Sequence, residues 1–148
     1  MARRIEPTKK STTEILADLR ASYREAAIIG PEATLKFLDR TFAGQHSMPN
    51  AVKCFAFDLL AECKAQLGDW EGCELAVQGA LKNLTAAEED LGAELKKSLP
   101  TMSLFERGIA ARTELGDFEG ALQLCDVALE RGLGMHFAAK RDSLSWAK

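Results

Sequence analysis

The chain has 148 residues, 47% hydrophobic and 28% charged, with a net charge of -3. That length and composition suit one domain with its own core and exclude a disordered polyelectrolyte. No global basic field attracts nucleic acid, and no apolar run approaches the roughly 20 residues of a membrane-spanning helix. The first ten residues, MARRIEPTKK, place Arg3, Arg4, Lys9 and Lys10 against Glu6. No apolar stretch follows them, so they read as a disordered basic tail over 1–10 rather than a secretory signal. The expected location is cytoplasmic, with a helical domain over 11–148.

Proline is scarce, and β-branched residues never alternate with polar ones. Every segment therefore favours helix over strand. A capping box, STTE, starts the first helix at Ser11, and Gly30 ends it. Its apolar positions are Ile15, Leu16, Leu19, Tyr23, Ala26 and Ala27. Pro31 opens a second helix with Ala33, Leu35, Leu38 and Phe42 inward, and Gly44 stops it. A third helix is expected from about Pro49 to Leu67, burying Phe55, Leu59, Leu60, Cys63 and Leu67. Asp69 caps a fourth, from Trp70 to about Asn83. A second capping box, TAAE at Thr85, predicts a separate helix that meets Pro100, where a kink or break is expected. Helix resumes through Leu104, Phe105 and Ile109 to Leu115, then from Phe118 to Arg131. A short last helix covers about His136 to Trp146.

Two phrases are nearly identical: QLGDWEGC from Gln66 and ELGDFEGA from Glu114. With Gly68 set on Gly116, Leu67 falls on Leu115, Asp69 on Asp117, Trp70 on Phe118 and Cys73 on Ala121. Further out, Ala80-Leu81 falls on Ala128-Leu129, and Phe57 on Phe105. Each letter has a mechanical role. Glycine reverses the chain, aspartate caps the next helix, the aromatic plugs the hairpin, and the small residue lets two helices approach. A lone hairpin cannot bury its apolar face, so such units stack.

On these residues the chain resembles the tetratricopeptide repeat family. The resemblance is firm over about Phe55 to Leu129, and the hairpin from Ser11 to Gly44 is a degenerate first unit. The copies are spaced more widely than the family's roughly 34 residues, and the closing proline is missing from both. The resemblance implies an all-α superhelix of three antiparallel hairpins with a C-terminal capping helix. It also implies a non-enzymatic scaffold that binds protein or peptide in a groove lined by each hairpin's first helix. Carried over by register, the groove positions are Phe55, Asp58, Glu62, Ala65 and Gln66, then Ser103, Glu106, Ala110, Thr113 and Glu114. Family members that clamp a C-terminal carboxylate present Lys and Asn there. The acids here would repel such a tail and suit a basic or neutral segment. The competing reading makes them solvated helix faces.

Other functions find less support. The two histidines, His46 and His136, have no ligand or nucleophile close on a shared face, and phosphate-loop, GxSxG and HExxH patterns are missing. Neither catalysis nor a metal or other cofactor is expected. The four cysteines, Cys54, Cys63, Cys73 and Cys125, lack zinc-site spacing and read as small core residues in a reducing compartment. The alternative is a nucleic-acid adaptor using the basic tail. The segment GDFEGALQLCDVALERGLGMH looks like part of the small terminase subunits of some tailed phages. Phe137 and Trp146 are expected to seal the end of the stack, with a self-association patch as the other reading.

Overall fold

A computed structural model describes residues 11–43, 48–91 and 103–147. Seven helices occupy them: α1 Thr12–Ile29, α2 Pro31–Ala43, α3 Asn50–Gln66, α4 Trp70–Leu91, α5 Leu104–Glu114, α6 Phe118–Glu130 and α7 His136–Ala147. No strand occurs among the described residues. Each helix packs against the next, and the first helices of successive hairpins also touch: α1 against α3, and α3 against α5. The molecule is an all-α array of helical hairpins.

The corners follow from local chemistry. The Ser11 hydroxyl accepts from the Glu14 N–H at 3.2 Å and starts α1. Gly30, with φ 147°, ends it in a conformation open only to glycine. At the two repeated phrases, Gly68 and Gly116 take φ 74° and 82°. The Asp69 N–H then donates to Lys64 O at 2.9 Å, and the Asp117 N–H to Arg112 O at 2.7 Å. Each aspartate immediately caps the helix that follows: Asp69 accepts from the Gly72 N–H and Asp117 from the Gly120 N–H, both at 2.9 Å. A left-handed glycine stop and an aspartate start therefore share two residues, which makes the reversal tight.

The core runs through all three hairpins. Helix α3 has neighbours on most sides and is lined with small residues; Ala51, Cys54, Ala56, Ala61 and Cys63 are fully buried. Its partner α4 approaches closely enough for the Cys54 thiol to reach Ala80 O at 3.4 Å. Gly108 lets α5 settle between its neighbours, because a Cβ there would collide with Val77 of α4 and Leu124 of α6. Arg112 fastens the same junction: its Nε lies 3.0 and 3.1 Å from the two Glu74 carboxylate oxygens, and a terminal nitrogen donates to Gly120 O at 2.8 Å.

Several sequence expectations are corrected. Thr85 does not start a helix: α4 continues unbroken to Leu91. Leu84 and Ala87 extend its buried stripe beyond Ala80, and that stripe outweighs the capping-box pattern. Leu67 is exposed at its corner, as is its counterpart Leu115. In α2, Thr34 is buried where Ala33 and Leu35 were expected to lead; its hydroxyl donates to Pro31 O at 2.7 Å and meets the Cys63 sulfur at 3.2 Å. Ala27 is exposed rather than inward. Phe137 and Leu144 close the end of the array, whereas Trp146 is 89% exposed. The basic tail, the Gly44 stop, His46 and Pro100 with its kink lie outside the described residues.

Candidate binding cleft

A cleft of about 370 Å³ opens where α1, α3 and the start of α5 meet. The first helices of successive hairpins stand side by side there, so the residues one turn apart on each form opposing walls. Helix α1 supplies Arg20, Tyr23 and Arg24; α3 supplies Phe55, Asp58, Leu59 and Glu62; Ser103 precedes α5. Phe55 forms an apolar floor, only 2% exposed, with the Arg20 guanidinium 4.8 Å above its ring centre.

The polar groups in this cleft are poorly matched by the protein itself. Asp58 and Tyr23 are each only 7% exposed. Among the described residues, the buried side-chain polar atoms without a close hydrogen-bond partner are Tyr23 Oη, Asp58 Oδ1 and Arg107 Nε, although the Glu62 carboxylate interacts with the Tyr23 hydroxyl. Two of these atoms line the cleft, and Arg107 stands beside it on α5, 4.0 Å from Glu62. Burial and the neighbouring Glu62 carboxylate push the Asp58 carboxyl up to about 7, and Arg20, the Leu104 backbone N–H and Arg107 only partly oppose them. The same burial, with Glu62 alongside, holds the Tyr23 phenol well above its ordinary range.

The ten groove residues divide into two sets, and Ala65 and Ala110 fall with those outside the cleft. Phe55, Asp58, Glu62 and Ser103 come together in the cleft. Gln66, Glu106, Thr113 and Glu114 do not line it. Gln66 and Glu114 are exposed at the ends of their helices, and the Thr113 hydroxyl donates to Ile109 O at 2.7 Å within α5. Glu106 faces the His136 Nε2 at 3.4 Å. That contact repeats a device seen one hairpin earlier. Asp58 of α3 meets the first residue of α5, and Glu106 of α5 meets the first residue of α7. Both acids therefore link one hairpin to the next.

The lining is mixed in charge rather than acidic throughout, because α1 contributes Arg20 and Arg24. A signal for them exists in the sequence. Setting Gly30 on Gly68 places Arg20 on Asp58 and Arg24 on Glu62, so the first unit carries opposite charges at the two groove positions of the second.

The four cysteines are buried and unpaired, and no group of three or more metal-ligating side chains occurs among the described residues. Burial pushes the Cys54 thiol up to about 12 and Cys73 up to about 11, so neither is a ready nucleophile. Among the described residues, no helix is long and apolar enough to cross a membrane. No protein-family model, curated protein or solved structure matches this chain. The class that can be stated is therefore the architectural one, an all-α hairpin array with a polar cleft across its first helices.

Proposed function

We propose that the protein is a non-enzymatic scaffold of tetratricopeptide-like design, which holds a segment of another protein against the face formed by α1, α3 and α5. One observation carries this reading: Phe55, Asp58, Glu62 and Tyr23 line one cleft across α1 and α3, and among the described residues the buried Asp58 Oδ1 has no hydrogen-bond partner. Folded proteins rarely leave such groups unmatched, and functional surfaces are where they do. The shape of the site supports the same reading. An apolar floor at Phe55 under a ring of charged and hydroxyl groups resembles a pocket for one anchoring side chain more than a reaction chamber. Among the described residues the histidine, His136, is engaged with Glu106 and does not line the cleft.

The test is binding of the intact chain to an array of peptides drawn from the source organism's proteins. Glu62→Lys and Arg24→Glu serve as cleft variants, and Glu114→Lys as a remote control. The scaffold reading expects discrete peptides whose binding drops at least ten-fold in both cleft variants and holds in the control. Retention of a DNA duplex that depends on Arg3, Arg4, Lys9 and Lys10, with no peptide selected, would move the function to the basic tail.

A further inference from the structure

A second surface shares no lining residue with the cleft. Helix α1 is the first helix of the array and packs mainly against α2 and α3. At the other end of the array, α7 turns Phe137 and Leu144 inward and closes the core. Among the described residues nothing covers the first corner in the same way: Ile28 and Ile29 are 87% and 82% exposed, and Leu67 at the next corner is exposed too. A stack of hairpins needs polar outer faces at its ends, so two adjacent isoleucines in water call for a covering surface. Ile29 also lines an open hollow of about 480 Å³, and Ile28 stands next to it in the chain. Pro31, Ala33 and Leu67 complete the apolar walls, and Glu32 and Lys36 stand on the α2 side. Neither charge has an ion-pair partner among the described residues.

The patch thus carries a protruding apolar side chain, a hollow, one acid and one cation. A surface that holds both members of each complementary pair fits itself about a two-fold axis, where every contact between the copies is made twice. We propose that two copies of the chain associate through this corner. Ile28 of each copy seats in the hollow of the other, and Glu32 of each faces Lys36 of the other. Glu32 and Lys36 lie one helical turn apart on α2, so an antiparallel approach of the two α2 helices brings both pairs into register at once. A uniformly basic or acidic partner would meet one like charge there, whereas a second copy meets none. The hollow is lined by seven residues, against roughly 20–30 a side in a standard interface, so the dimer is weak and exchanges with monomer. Two-fold closure occupies both hollows, and no larger assembly follows.

The experiment is analytical sedimentation of the full chain from about 10 μM to about 1 mM. The mass should rise with concentration from one chain to two, with no larger species. Ile28→Glu, at a site already in water, should keep the chain monomeric throughout with an unchanged circular dichroism spectrum. Glu32→Lys and Lys36→Glu each set like charges opposite one another and should weaken the dimer about ten-fold. Their equimolar mixture is the most specific case. One copy then presents two cations and the other two acids, so both pairs re-form and affinity returns to near that of the unaltered chain. Trp146→Ser, at the other end of the array, should change nothing. A chain that stays monomeric at about 1 mM, or masses beyond the dimer, would overturn the proposal. So would a mixture no tighter than its components, a dimer indifferent to Ile28→Glu, or one lost in Trp146→Ser. Peptide binding at the cleft should be the same in Ile28→Glu as in the unaltered chain, so the loss of this dimer leaves the scaffold reading standing.

Discussion

Gly68 and Gly116 have open space around them, so their role is conformational rather than steric. A side chain there meets the ordinary cost of the left-handed region, about 1 kcal/mol. Gly68→Ala and Gly116→Ala should each lower unfolding stability by about 1 kcal/mol, and the double variant by about 2, because the corners share no partner. Urea denaturation of the three variants checks this. Asp58 gives a second prediction at this scale. Its folded pKa, about 7, lies above the ordinary carboxyl value, so the native state holds its proton where the unfolded chain has released it. Its contribution is full below about pH 4 and is lost as pH rises to about 7. Relative to Asp58→Asn, the wild-type chain should thus lose on the order of 1–3 kcal/mol across that window. Urea midpoints measured at half-unit pH steps would show the divergence. These residues also differ in how legible they were. The glycine and aspartate corners announce themselves, since few residues can do either job. Arg20 and Arg24 escape notice because their unit shares geometry with the others but not residue types.

At the scale of the element, equivalent positions in the two repeats do unequal work. Lys64 and Arg112 fall on each other when the glycines are aligned. Lys64 contacts Asp69 at 3.2 Å on an exposed corner, whereas Arg112 bridges α5 to both α4 and α6 with its head 14% exposed. Exposed pairs contribute little, and a half-buried guanidinium that satisfies a carboxylate and a carbonyl contributes much more. Lys64→Ala should cost less than about 1 kcal/mol and Arg112→Ala about 2–3 kcal/mol, with Arg112→Lys recovering only part of the loss. Thermal and denaturant unfolding of the three variants would rank them. Element boundaries were readable where glycine or proline sets them and unreadable at Thr85. There a capping-box pattern coincides with residues that also continue a helix, and burial of Leu84 and Ala87 decides for continuation. Thr34 and Trp146 reverse the usual expectation for their types. A threonine that satisfies its hydroxyl at Pro31 O can enter the core, while Leu144 takes the sealing position beside Phe137.

For the whole molecule, stacking converts three similar hairpins into one surface. Asp58 accepts from the Leu104 N–H at the start of α5, and Glu106 faces His136 at the start of α7, so both acids touch the following unit. The cleft is lined by basic residues of α1 and acidic residues of α3, a property of the array and of neither hairpin alone. The most direct test places a photo-crosslinking phenylalanine analogue at position 24, at the cleft mouth, and separately at position 114, remote from it, in cells of the source organism. The scaffold account predicts a discrete protein adduct from position 24 that is lost in the Glu62→Lys background, and none from position 114. Adducts from position 114 alone, or a position-24 adduct indifferent to Glu62, would contradict it.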